Sequence, residues 1–150
     1  MGSRIREALL ELGEERFLRC MEEISTAERR EIFESLGVPR SAAAASARKR
    51  TARRIHAAWD CLGRNPDDDA AETFARHWLA RHRMDMICAF LDGLEVKHEE
   101  GYLRDTRVLS DLPQDRLLAG LRALAENHDP ADVQLYAALM DLPEPGEGRA

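Results

Sequence analysis

The sequence predicts an all-α fold, a single-domain bundle of about six helices, and two observations carry this prediction. Aromatic residues make up only 5% of the 150 residues, so the core must be built mainly from Leu, Ala, Met and Ile. These side chains lose little freedom in a helix, whereas strands favour β-branched and aromatic residues. Apolar residues also recur at helical spacing between capping signals. We therefore expect a helical bundle domain over residues 1–142 and a disordered tail over 143–150, which holds two Pro and two Gly.

Two helices are predicted before residue 38. The first runs from about Ile5 to Ile24. Its apolar side chains on one face are Leu10, Phe17, Met21 and Ile24. Ser25 and Glu28 form a capping box that opens the second helix, because the hydroxyl and the carboxylate each satisfy a backbone N–H. Gly37 and Pro39 end it, since Gly adopts the left-handed cap and Pro cannot continue a helix.

The third and fourth helices carry the longest helical patterns. The third is predicted from Ser41 to Leu62, with Gly63 at its C-cap. The acidic triplet Asp67–Asp69 begins the fourth, because carboxylates are stabilised near a helix N-terminus, and this helix reaches about Asp92. Its second half, Met84–Leu94, is apolar nearly all round, so we expect it at the centre of the bundle.

Helical periodicity is lost between residues 93 and 112. Residues 95–103 alternate weakly and are predicted to form a short hairpin or an irregular loop. A fifth helix begins near Pro113. Its apolar side chains in register are Leu117, Leu121 and Leu124. Asp129 caps a sixth helix that has Pro130 at its first position.

Positive charge is concentrated in one segment of an acidic protein. The net charge is −6, but residues 38–65 hold seven positive residues and one negative residue, so this segment carries +6 and the remainder −12. At 100° per residue the predicted third helix has an apolar stripe on one side and a basic stripe on the other. The basic stripe consists of Lys49, Arg50, Arg53, Arg54 and Arg64. These residues, together with Arg48, are the candidate partner-binding or nucleic-acid-binding residues.

The basic stripe is expected to have an anionic neighbour. Like charges three or four residues apart cost about 0.2–0.5 kcal/mol per pair on an isolated helix. Three neighbours are open: the acidic surface of this chain or of a second subunit, a separate acidic protein, and the phosphates of a nucleic acid. Because the whole protein is acidic, pairing with its own surface is the interpretation that the composition favours.

The segment Glu31–Ser41, with the sequence EIFESLGVPRS, resembles the first helix and turn of bacterial helix-turn-helix DNA-binding domains. In those domains Leu-Gly-Val and a polar cap join a short helix to a recognition helix. The resemblance implies that the helix over 41–62 would approach DNA. Its first turn, Ala42–Ala45, offers no hydrogen-bonding groups to base edges. Contact with phosphates through residues 48–54 is the binding mode that remains open.

Short motifs for catalysis, cofactors or metals are absent from the sequence. There is no HExxH, GxSxG or GxxxxGK[ST] pattern, and only Glu95 and His98 have the Glu-x-x-His spacing of carboxylate-bridged metal bundles. His82, Asp85 and Trp78 would be the residues of a catalytic or ligand pocket, although a structural polar pair is the favoured interpretation. We predict that the protein is not an enzyme and has no cofactor and no metal site.

The cysteines and the hydropathy pattern predict the cellular compartment of the protein. Cys20, Cys61 and Cys88 are odd in number and have no CxxC spacing, so we expect free thiols in a reducing compartment. Cys88 lies in the most apolar segment, where a reactive thiolate is disfavoured. No secretory or membrane-spanning segment is predicted, so we expect a cytoplasmic protein that does not enter a membrane. Twenty Arg against two Lys, with abundant Ala, indicate GC-rich codons and a bacterial source.

Two functions follow from these features. The leading hypothesis is a non-catalytic protein-interaction or assembly module that self-associates or binds another protein, since charge is divided between two parts of the chain and an Ala-rich helix allows close helix approach. The alternative hypothesis is a helix-turn-helix-like regulator that binds nucleic acid through the basic helix over 41–62.

Overall fold

The computed structural model describes residues 4–38, 47–64, 69–105 and 107–144, except for the side chains of residues 47 and 48. Within these ranges the chain forms nine helices and no strand, so the all-α prediction is confirmed. The helices are α1 (Arg4–Leu12), α2 (Glu14–Glu23), α3 (Thr26–Leu36), α4 (Ala47–Arg64), α5 (Asp69–His82), α6 (Met84–Gly93), α7 (Arg107–Ser110), α8 (Gln114–Asn127) and α9 (Pro130–Leu139). The predicted starts at Ser41 and Asp67, and residues 145–150 of the predicted tail, lie outside the described residues.

Contacts divide the chain into two compact units, Met1–His77 and Trp78–Ala150. The boundary lies within α5, so this helix contributes residues to both units. The prediction of one domain over 1–142 stays a prediction.

The core of the first unit is built around aromatic rings. α4 packs against α2 and α3, and α1 packs against α2. The ring of Phe17 lies 5.2 Å from that of Trp59 and 5.0 Å from that of Phe74, between centroids. Burial of such large rings contributes more to the stability of a core than burial of smaller side chains. Trp59 is partly exposed, whereas the fully buried side chains of this unit include Phe17, Phe74, Leu9, Met21, Ile24, Ile32 and Leu62.

The second unit is centred on its last helix. α8 packs against both α6 and α9, and six of the ten residues of α9 are buried. The expectation that Met84–Leu94 forms the centre of the bundle is only partly met: four residues of α6 are buried, while Ala89 is exposed and Cys88 is partly exposed. The buried apolar side chains of α9 are Val133, Leu135, Tyr136, Ala137 and Ala138. α9, rather than α6, is therefore the most enclosed helix of this unit.

Two helices that were predicted as continuous are interrupted. The prediction of one helix from Ile5 to Ile24 is wrong, because Gly13 adopts φ 97° and ψ 151°, a conformation that is essentially restricted to glycine. The prediction of one helix reaching Asp92 is also wrong, because Arg83 leaves the helical region at φ −132° and ψ 29°. In both places the apolar spacing continues across the break, so periodicity alone does not reveal it.

Local capping signals are confirmed at three helix ends. The Ser25 hydroxyl accepts from the Glu28 N–H at 3.2 Å and donates to Glu28 Oε1 at 2.8 Å. Gly37 ends α3 with φ 69°. Asp129 accepts from the Ala131 N–H at 2.9 Å at the start of α9, whose first residue is Pro130. These signals are predictable because each cap is made by residues close in sequence.

Arginine side chains satisfy the carbonyls at other helix ends. Arg6 donates to the carbonyl oxygens of Leu62 at 3.0 Å and Gly63 at 2.8 Å. The prediction that Gly63 is a C-cap is wrong, because α4 continues through Gly63 to Arg64. Arg29 and Arg116 likewise donate to the carbonyl oxygens that follow α2 and α6, on Ile24 and Leu94. At these helix ends an arginine side chain satisfies the carbonyl oxygens, whereas at other ends backbone N–H groups do so after a left-handed glycine.

Replacing each of two glycines by alanine should change stability in opposite directions. Gly13 and Gly63 both have open space where a Cβ would lie, so only backbone conformation distinguishes them. Gly13→Ala should lower the free energy of unfolding by roughly 1–3 kcal/mol because of its positive φ. Gly63→Ala should raise it by about 0.5–1 kcal/mol, since alanine is the better helix former. Urea unfolding followed by circular dichroism measures both, and a destabilising Gly63→Ala would contradict the helical conformation of Gly63.

Candidate functional site

The basic stripe lies on α4 as the sequence predicts. Ile55, Ala58 and Leu62 are buried on the apolar side of this helix. On the basic side Lys49, Arg53 and Arg64 are exposed, while Arg50 and Arg54 are partly buried; Arg48 belongs to α4, but its side chain is not described. The predicted amphipathic character of this helix is therefore present in the structure.

Much of the basic stripe is engaged within the protein. The guanidinium of Arg54 lies 4.3 Å from the centroid of the Phe33 ring on α3. Arg64 donates to the Asp60 carbonyl oxygen at 3.3 Å in its own helix. Lys49 and Arg50 also take part in interactions within the protein. Because these contacts hold part of the charge against the protein itself, the stripe is not a row of unengaged cations.

The turn of the helix-turn-helix resemblance lies largely outside the described residues. α3 ends at Leu36 and Gly37 as expected, but residues 39–46 are not described. The resemblance therefore stays a prediction.

Two of the three candidate pocket residues, His82 and Trp78, are in contact. Trp78 is buried, and the His82 ring stacks on it with centroids 4.7 Å apart. The third, Asp85, is exposed in the first turn of α6.

A buried ion pair that sequence reasoning missed lies beside Trp78. Asp132 has no exposed surface, and its carboxylate accepts from Trp78 Nε1 at 3.2 Å and from Arg83 Nε at 2.8 Å. Arg83 also lies 4.8 Å from the centroid of the Trp78 ring. A buried carboxylate needs such partners because desolvation without them is costly. No local pattern links these two residues, which lie 49 positions apart.

A concave surface of the second unit surrounds Tyr102. This groove, named here the Tyr102 groove, has a volume of about 730 Å³. It is lined by Asp92, Val96, Lys97, His98, Glu99, Tyr102, Leu103, Arg104, Asp105 and Val108. Tyr102 is 65% exposed and Val108 40%, and among the described residues these are the large hydrophobic side chains that face solvent. Both of them line this one groove.

A tight turn presents Tyr102. Glu99 and Tyr102 exchange two backbone hydrogen bonds of 2.9 Å, and the two residues between them, Glu100 and Gly101, have φ 50° and 86°. Positive φ at both central positions is the signature of the tightest hairpin turns. The predicted hairpin or irregular loop is thus a two-residue turn closed by one isolated bridge.

Neighbouring side chains hold the turn in place. A side chain at Gly101 would be strained, because its φ is 86° and a Cβ there would lie 2.6 Å from Met84 Sδ. His98, whose side chain is 12% exposed, joins the turn to α6: its Nδ1 accepts from the Gly101 N–H at 3.0 Å, and its Nε2 lies 2.7 Å from Asp92 Oδ1. Arg104 pairs with Glu99 at 2.8 Å on the rim.

The pKa values of two side chains of the second unit, Cys88 and Tyr136, are raised. Burial, with the carboxylates of Asp92, Asp85 and Glu100, raises the pKa of the Cys88 thiol. Burial, with a smaller contribution from Cys88, raises the pKa of Tyr136. A raised pKa leaves less thiolate and less phenolate near neutral pH, which disfavours nucleophilic chemistry at these two side chains.

The described ranges contain neither a metal-binding cluster nor a helix that could span a membrane. No group of three or more His, Cys, Asp or Glu side chains there could hold a metal ion. None of the helices in those ranges combines the length and hydrophobicity that a membrane span requires.

Comparison of the chain with protein-family models, with curated proteins and with solved structures finds no match in any of the three. The function of the candidate surfaces therefore rests on their own geometry.

Loss of one partner of the buried ion pair should destabilise the second unit strongly. Arg83→Met leaves the Asp132 carboxylate buried with Trp78 but without its cation, so we expect a loss of roughly 3 kcal/mol in the free energy of unfolding. Arg107→Met removes an exposed pair with Asp105 and should cost at most about 1 kcal/mol. Urea unfolding of both variants measures the difference, and equal small losses would contradict a structural role for the buried pair.

Proposed function

We propose that this chain is a protein-interaction module without catalytic activity, that it self-associates, and that the Tyr102 groove is its interaction surface. One observation carries this proposal: Tyr102 and Val108 line the same groove instead of being scattered over the surface. Single exposed hydrophobic residues are normal in a folded protein, whereas grouped ones favour contact with another macromolecule. Tyrosine is also among the residues that contribute most to binding at protein interfaces.

The charges around the groove favour a second copy of this chain as the occupant. The rim carries two cations, Lys97 and Arg104, and three carboxylates, those of Asp92, Glu99 and Asp105. Two copies related by a two-fold axis bring the same surface into contact with itself, so the cations of each copy can face the carboxylates of the other. A polyanion would instead meet more carboxylates than cations here.

A second groove in the same unit offers less to a partner. It has a volume of about 410 Å³ and lies along α6 and α8. Its wall is formed largely by small side chains and glycine: Ala89, Gly93, Ala119, Gly120 and Ala123. It has no exposed large hydrophobic side chain among its described residues, so it serves as the control surface.

The proposed location is the cytoplasm, and the proposed source is bacterial. Cys20, Cys61 and Cys88 are free thiols, which supports a reducing compartment. The bacterial source rests on the excess of Arg over Lys.

Removing both exposed hydrophobic side chains should disrupt self-association. The double variant Tyr102→Ser, Val108→Ser is expected to raise the dimer dissociation constant by about tenfold or more, because aromatic anchors dominate binding energy. Sedimentation velocity over a wide range of protein concentration measures this constant.

The matched control places serines in the second groove. Ala119→Ser with Ala123→Ser changes exposed residues of the same unit and should leave the dissociation constant unchanged. Circular dichroism establishes that both double variants remain folded. A wild-type protein that stays monomeric at the highest concentration, or a Tyr102 variant that associates like the wild type, would disprove the proposal.

The nucleic-acid hypothesis is supported by the exposed cations of α4, in particular Arg53 and Arg64. Its test is fluorescence anisotropy with a generic DNA duplex at two salt concentrations. If the hypothesis holds, affinity falls steeply with salt. The double variant Arg53→Ala, Arg64→Ala should then reduce the slope of log affinity against log salt concentration by the contribution of about two phosphate contacts. If the Tyr102 groove is the interaction surface, we expect duplex binding to be negligible and self-association to be unaffected by these two substitutions.

A further inference from the structure

The hydrogen bonds of His98 define its protonation state in the closed turn. Nδ1 accepts a hydrogen bond from the backbone N–H of Gly101, so it carries no proton. The proton of the neutral ring therefore lies on Nε2, which donates to Asp92 Oδ1. The side chain thus connects a carboxylate near the end of α6 with the turn that presents Tyr102.

The turn needs this acceptor because its backbone is unusual. Glu100 has φ 50°, which is unfavourable for a residue with a side chain, and persists only where neighbouring contacts maintain it. The Gly101 N–H, which is adjacent to Glu100, is held by His98 Nδ1. If Nδ1 took up a proton, the Gly101 N–H would lose its acceptor and would face a second N–H donor.

We propose that His98 is a pH-dependent latch on the Tyr102 groove, closed when its ring is neutral and open when its ring is protonated, so that self-association weakens as the pH falls. A proton on Nδ1 would point at the Gly101 N–H, and two donors cannot share a hydrogen bond. The turn must then open, and Tyr102 leaves the position that the groove requires. This inference rests on the proposed function, because it concerns regulation of the same surface.

Charged groups of both signs lie along the groove that His98 lines. Asp92 is in direct contact with the ring. Lys97, Glu99, Arg104 and Asp105 line the same groove, and Glu100 lies in the turn. On α6, Asp85 and Asp92 act on Cys88, as Glu100 does from the turn. Histidine is the side chain that changes charge between about pH 5 and 8.

The direction of the pH dependence follows from the protonation state of the form that self-associates. The neutral ring closes the turn, so the associating form has bound fewer protons than the open form. By linkage, self-association is therefore strongest near pH 8 and is lost as the pH falls through the range in which histidine is protonated.

The test is the dimer dissociation constant of the full chain at about pH 8 and about pH 5. For the wild type we expect it to rise by about tenfold between these values. In His98→Asn the amide oxygen can take the place of the Nδ1 acceptor and does not titrate in this range, so its dissociation constant should be nearly the same at both pH values. Equal pH dependence in the wild type and His98→Asn would overturn the latch.

A second measurement does not depend on self-association. In the Tyr102→Ser, Val108→Ser double variant, the amide resonance of Gly101 should move with the protonation of the His98 ring in ¹⁵N–¹H spectra. When His98→Asn is added to this variant, the Gly101 resonance should no longer respond, because the amide does not titrate in this range. A Gly101 resonance that does not respond would disprove the latch, whereas a responding resonance in a protein that never associates would disprove only the proposed function.

Discussion

The backbone groups at helix ends constrain this structure more than any other feature. Every helix leaves its first four N–H groups and its last four carbonyls without partners in the helix. A chain divided into many short helices, nine of them in its described part, repeats this requirement many times. Arg6, Arg29 and Arg116 satisfy carbonyls at three of these ends. The long planar guanidinium suits this task, because it reaches a carbonyl oxygen while its stem covers apolar surface.

The need to satisfy backbone groups at helix ends gives several arginines a structural role. Twenty arginines in a chain of this length suggest a surface for phosphates. In the structure Arg54 lies over Phe33 and Arg83 pairs with the buried Asp132, while others bond to helix ends. Cations that are committed to the fold contribute less to the binding of an external anion, since they would first have to leave their partners. Local charge density in the sequence therefore does not by itself indicate cations that are available to an external anion.

The sequence was informative wherever structure is determined by near neighbours. The capping box at Ser25, the cap at Gly37 and the amphipathic character of α4 were all predicted, because residues three or four apart decide them. The ion pair between Arg83 and Asp132 was not, since its two residues lie 49 positions apart in the chain. The Tyr102 groove was missed for the same reason: exposure depends on which surfaces the rest of the unit covers, and the weak alternation in 95–103 indicated only an irregular segment.

Rigidity links the groove to its proposed regulation. Binding costs conformational entropy for every group that becomes ordered, so an anchor that is already ordered gives more net affinity. Tyr102 is presented by a turn with two positive φ values, which is packed through Gly101 against Met84 and bonded through His98 to Asp92. A turn of this kind has no neighbouring strand ladder to maintain it, because the Glu99–Tyr102 bridge is isolated. Its order therefore depends on a few individual contacts, and the one made by His98 Nδ1 is the contact that a proton can remove. In the proposed function, the contacts that order Tyr102 for binding are thus the same contacts that make binding sensitive to pH.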